Sequence, residues 1–245
     1  MPEALRLSLL AAVAFLAALL AAVTGFGGAA VLLPMLVFVF GVREAIPILT
    51  VAQLIGNGSR VWFNRRQLDW HVVAWFALGG VPMALIGGFL FAHAPLAALT
   101  RILGAFLILI VVLRHLPKLS GFKPPLKSFA LIGAASSFLS ALLGSVGPLM
   151  APFFLAYGLV KGAYIGTEAL STVVMHVAKL IAYHESAVLP LHAIASGLAL
   201  GPIMVAGSFA GKRVVDRLPE RVFVTIIDIT LLAAGVLFLS GWSKL

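Results

Sequence analysis

At 245 residues, 62% hydrophobic and only 10% charged, with a mean hydropathy of +1.14, this chain cannot cover itself with a polar surface; a soluble domain carries roughly 25% charged residues. Its formal net charge of +9 comes from Lys and Arg placed mostly between apolar stretches, where they set membrane topology and do not form a nucleic-acid surface. With no cysteine, disulfides and thiolate metal sites are excluded.

Ten apolar segments follow one another at about 5–24, 29–41, 44–63, 70–92, 97–116, 127–143, 148–158, 162–183, 189–210 and 220–241. They predict an all-α, polytopic membrane helical bundle filling one integral membrane domain, 1–245. The first segment resembles a signal peptide, but no cleavage site follows it, so it reads as the first helix of the mature protein. Most segments have the roughly 20 residues needed to cross a bilayer. Two do not: 29–41 and 148–158 would cover about 17–20 Å, and they read as half-helices.

Basic residues orient the bundle. Arg60, Arg65 and Arg66 end the third segment, Arg114, Lys118, Lys123 and Lys127 surround the joint after the fifth, and Lys212, Arg213, Arg217 and Arg221 fill the last loop. Placing all three clusters in the cytoplasm is self-consistent if each half of the chain holds an odd number of segments. Trp62, Trp70 and Trp75 flank the first cluster, as interfacial aromatics do. Only Arg6 bears on the side of the N-terminus, which stays open.

The halves repeat. Pro34 matches Pro152 and Ala45 matches Ala163 at an offset of 118, Gly41 matches Gly158 at 117, and Gly87 matches Gly207 and Arg101 matches Arg221 at 120. With an odd number of segments each, 5–118 and 124–241 form two inverted repeats, an arrangement found in secondary transporters.

Two glycine-rich breaks lie at corresponding places. Thr24, Gly25, Phe26, Gly27 and Gly28 precede the first half-helix; Gly144, Ser145, Val146, Gly147 and Pro148 precede the second. Proline at a first helical position marks a fresh start. Helices that begin inside a membrane present unpaired N–H groups and a positive dipole end, both suited to an anion. Glycines there also serve close helix packing, an alternative that the sequence leaves open.

The third and eighth segments carry polar faces. Thr50, Gln53, Asn57 and Arg60 fall within about 80° of one another, and Glu168, Ser171, Thr172 and Lys179 within about 100°, with His176 at the edge. At offset 119, Gln53 matches Thr172, Asn57 matches His176 and Arg60 matches Lys179. Polar groups in a bilayer usually face a bundle interior or a water-filled cavity. Snorkelling of Arg60 and Lys179, and interhelical hydrogen bonding by Gln53 and Asn57, are the alternatives. Glu168 and Asp228, with His176 as a third candidate, are the ionisable groups set within apolar helices, and they are expected to carry a coupling proton.

The chain resembles the sulfite exporter family of TauE/SafE-type membrane proteins over nearly its whole length. Carrying the resemblance are Gly25-Phe26-Gly27-Gly28 with Pro34, the Thr50 helix, Arg65-Arg66-Gln67-Leu68-Asp69-Trp70, and Gly144 to Pro152 with Gly166-Thr167. It implies transport of sulfite, sulfonates or related organosulfur anions driven by the proton gradient, and it adds Thr167 to the candidate substrate residues. The second break is less glycine-rich than the family's usual first-repeat form, and Glu168 stands where a small or hydroxyl residue is common. A carrier of another small anion, such as a carboxylate, and a non-transporting membrane scaffold are the competing functions. No metal-ligand spacing, Gly-x-Ser-x-Gly or Walker-type loop points to an enzyme or an ATP-driven pump, and no cofactor is expected.

Overall fold

The structure, a computed structural model, describes residues 3–25, 28–115 and 123–214, and beyond these only 232, 236, 239 and 240. Among the described residues the chain is all-helical: α1 Glu3–Thr24, α2 Gly28–Phe40, α3 Val42–Asn64, α4 Trp70–His93, α5 Leu96–His115, α6 Ser128–Leu143, α7 Gly147–Tyr157, α8 Lys161–Glu185 and α9 Leu191–Val214. These nine follow the first nine predicted segments closely. The tenth, 220–241, falls almost wholly outside the described residues, as do Lys118, Arg217, Arg221 and the candidate Asp228.

Among the described residues four helices are long and apolar enough to cross a membrane: Leu5–Thr24, Trp70–His93, Lys161–Glu185 and Leu191–Arg213. The two short segments are indeed short helices, α2 with 13 residues and α7 with 11. Local chemistry explains several of the boundaries. The Asp69 carboxylate accepts from the His71 and Val72 amides and starts α4. Pro148 stands in the first turn of α7, and Gly158 ends that helix with φ 109°.

Glycine contacts set the packing. Gly79 and Gly87 on α4 leave no room for a side chain against the carbonyls of Ala130 and Phe138 on α6. Gly207 and Gly211 on α9 do the same against the carbonyls of Phe15 and Leu19 on α1. Both pairs therefore run parallel at close range, as small residues allow. Between them lie α3 and α8, antiparallel: Gly166, early in α8, meets Asn64 at the end of α3. Gly88 of α4 meets Ala182 of α8, while Gly197 and Gly201 of α9 meet Val51 and Ile55 of α3.

One end of the bundle collects the positive charge. Lys212 donates to the Phe63 carbonyl at 3.0 Å, so α9 ends beside α3 and brings Arg213 near Arg65 and Arg66. Because α6 runs parallel to α4, its start brings Lys123 and Lys127 to that same end, hereafter the basic end. α1 runs parallel to α9 and so begins at the opposite end, which the sequence left open. There Arg43 caps the end of α4, donating to the carbonyls of Phe91, Ala92 and Ala94 at 3.1, 2.6 and 2.8 Å. From these ends, two hairpins dip into the bundle. α1 enters opposite the basic end and returns as α2, with Gly28 folded against Ala17 and Ala21. α6 enters from the basic end and returns as α7, whose Tyr157 stacks edge-on against Phe129 with ring centroids 5.3 Å apart.

Polarity is inside out relative to a soluble protein. Leu78, Phe89, Leu131 and Leu191 are exposed, while Gln53, Asn57, Arg60, Glu168, His176 and Lys179 are buried. This is the distribution expected where lipid, not water, is the surrounding solvent.

Candidate functional site

Each hairpin turns on a glycine that only a residue without a Cβ occupies at ease. Gly25 ends α1 with φ 77° and Gly144 ends α6 with φ 83°. Their amides close the same kind of turn, Gly25 onto the Ala21 carbonyl at 2.9 Å and Gly144 onto the Ser140 carbonyl at 2.8 Å. A buried cation attends each tip. The Arg60 guanidinium donates to the Ala21 and Gly25 carbonyls at 3.1 and 2.8 Å and to the Asn57 side-chain oxygen. Lys179 donates to the Ser140 hydroxyl at 3.1 Å. Arg60 with Lys179, Ala21 with Ser140 and Gly25 with Gly144 are all related by the offset of 119. Positive groups at helix C-termini complement the negative dipole end. Neither cation snorkels: Arg60 is 4% exposed and Lys179 fully buried.

Between the hairpin tips lies a cavity of about 40 Å³, room for about three waters. The two breaks border it from different depths. Gly144 packs against Ile46 near one end of α3, and Gly25 against Arg60 near the other; fourteen residues separate Ile46 from Arg60, about 21 Å of helix. The lining includes Gly25, Gly28, Gln53, Asn57, Arg60, Gly144, Ser145, Gly147, Glu168, Thr172 and His176 from the sequence-derived set. Phe26 and Gly27 lie outside the described residues.

Four candidates are not on that wall. Thr50 and Ser171 donate to the carbonyls one turn back, Ile46 and Thr167, at 2.7 and 2.9 Å. Thr167 accepts from the Asp69 amide at 2.9 Å and ties α8 to the start of α4. Lys179 stands behind Ser140, which does line the cavity.

The electrostatic centre is one ion pair that the spacing within α8 did not reveal. Glu168 lies 3.6 Å from Arg60 and accepts from Thr172 at 3.1 Å. The partner comes from α3, antiparallel to α8. Around this pair, four lining atoms have no hydrogen-bond partner among the described residues: Gln53 Nε2, Ser145 Oγ, Glu168 Oε2 and His176 Nδ1. Each buried, unsatisfied polar atom costs about 1–3 kcal/mol, a cost relieved by a polar ligand.

Ser140, Met150, Met175 and Tyr164 went unrecognised in the sequence. The first three line the cavity. Ser140 could have been found as the match of Ala21, and Tyr164 as the residue one turn before Glu168 on the same face. A larger concavity, about 570 Å³, is an open groove between α3 and α9 lined by Ile55, Phe63, Gly201, Pro202, Val205, Ala206 and Phe209. It offers nothing to hold a charge.

An apolar exterior, two helical hairpins and a small cavity between their tips, lined by buried polar side chains, define a polytopic α-helical membrane protein with an internal candidate site. The chain belongs to the sulfite exporter TauE/SafE family, whose profile matches residues 10–238, and is thus a member of a family of membrane transporters. No curated protein and no solved structure matches it.

Proposed function

We propose that the protein is a secondary transporter that exports a small oxyanion, sulfite or a compact sulfonate, across the bacterial cytoplasmic membrane in a proton-coupled cycle. The observation that carries this is the convergence of unpartnered Gln53 Nε2, Ser145 Oγ and His176 Nδ1 on a cavity of about 40 Å³ beside Arg60. A small anion needs neutral donors and a positive charge, and that volume suits a single oxyanion group. The family membership supports the choice of a sulfur oxyanion. Residues 5–118 and 124–241 are proposed as the inverted repeats, supported by the paired contacts of α4 with α6 and α9 with α1, and by the paired tips. The excess of Lys and Arg at the basic end supports a cytoplasmic position for it.

Coupling follows from competition. Arg60 faces the Glu168 carboxyl at 3.6 Å. An ionised Glu168 neutralises the guanidinium, whereas a protonated one leaves that charge to the anion. Protonation of Glu168 thus raises the affinity for the anion, which links the two binding equilibria. Asp228 stands as a second proton carrier on sequence grounds alone.

In vesicles preloaded with sulfite, the parent protein should respond to an imposed pH gradient. Glu168→Gln should keep sulfite exchange and lose that response. A Glu168→Gln variant that still follows the gradient, with Asp228→Asn doing the same, would leave facilitated diffusion as the better description.

A further inference from the structure

Tyr164 belongs to none of the roles above, yet its place is unusual. It sits on α8 one turn nearer the basic end than Glu168, and it is 5% exposed. Its ring lies directly against Gly25: a Cβ on that glycine would strike the ring, with the phenol oxygen 2.8 Å away. The carbonyl of the same glycine accepts from Arg60 at 2.8 Å. The ring therefore fills the space between α8 and Gly25 at the tip of the first hairpin, on the basic-end side of the cavity wall that Gly25 and Glu168 share. Its hydroxyl has no hydrogen-bond partner among the described residues. A phenylalanine would fill that space without the cost of an unsatisfied buried hydroxyl, about 1–3 kcal/mol. Packing alone thus accounts for the ring and not for the oxygen.

We propose that Tyr164 is the gate of the cavity at the basic end, its ring closing the path between α8 and Gly25 and its hydroxyl being the first donor met by an anion entering from that end. Swinging the ring aside would expose the Arg60 and Glu168 pair. The hydroxyl would then exchange its unpartnered state for a bond to the anion, so opening and binding favour one another. The hydroxyl's role rests on the anion-transport reading; the ring's role as a barrier does not.

The test uses the absence of native cysteine. Met150→Cys, on the cavity wall, is reacted in vesicles of either orientation with a membrane-impermeant thiol reagent and no anion present. Gln67→Cys, in the loop at the basic end, reports which side is exposed. Adding Tyr164→Ala should raise the labelling rate of the cavity-wall thiol at least tenfold from the basic end and leave the opposite end unchanged. Tyr164→Phe should label as slowly as the parent while sulfite exchange falls severalfold. Unchanged labelling in Tyr164→Ala, or an equal rise from both sides, would overturn the gate. Parental exchange in Tyr164→Phe would overturn the role of the hydroxyl. Because the labelling contains no anion, a failure of sulfite transport itself would strike the functional proposal and leave the gate standing.

Discussion

Replacing Arg60 by alanine removes the group that joins most of the site. In the structure its guanidinium satisfies two carbonyls at the tip of α1, holds Asn57 and faces Glu168 at 3.6 Å. Breaking a buried charge pair by deleting one partner costs about 3–5 kcal/mol, because the remaining charge is left uncompensated. For a chain of this size that corresponds to a fall of about 6–20 °C in the unfolding midpoint. Adding Glu168→Gln to Arg60→Ala removes the stranded carboxylate, so the double variant should regain about 1–3 kcal/mol of that loss. Anion binding should not return with it. One charge-assisted hydrogen bond contributes about 1.5–3 kcal/mol, or roughly ten- to hundredfold in affinity. Thermal unfolding in detergent and sulfite exchange in liposomes would be measured on both single variants and the double. An Arg60→Ala protein within about 1 kcal/mol of the parent would match a solvated surface charge and refute the buried pair. A double variant no more stable than Arg60→Ala would refute the coupling between them.

Labelling of single cysteines at Arg65 and Arg213 should occur from one and the same side of the membrane, the cytoplasmic one, and reaction of either from outside would invert the proposed orientation. Gly25→Ala should lower both stability and exchange, since a Cβ at φ 77° is strained and meets the Tyr164 ring. Gly41→Ala, with the same φ but open space around it, should cost only the backbone strain of about 1–3 kcal/mol and leave exchange intact. If the two variants lost exchange equally, the contact with Tyr164 would be irrelevant to function. Asp69→Ala should cost about 1 kcal/mol through loss of the cap on α4, read as a shift in the unfolding midpoint with exchange retained.

Most of the architecture was written locally. Long apolar runs, the glycines and prolines between them and the clusters of Lys and Arg marked the nine helices of the described residues, two of them short, because each signal acts within a few residues of itself. The shared offset also relates Gln53 to Thr172, Asn57 to His176, and Arg60 to Lys179. Which of these polar residues reach a common space was a different matter. Thr50, Ser171 and Thr167 share helix faces with cavity residues, yet their hydroxyls are taken up by carbonyls or, for Thr167, by the Asp69 amide. A helix face fixes direction only to within tens of degrees, whereas a wall is decided by the neighbouring helix. The pairing of Glu168 with Arg60 and the wedging of Tyr164 against Gly25 depend on α8 lying antiparallel to α3 beside the tip of the α1–α2 hairpin. Those contacts join residues more than a hundred positions apart, and only the packing of backbones at the glycine stripes brings them within reach.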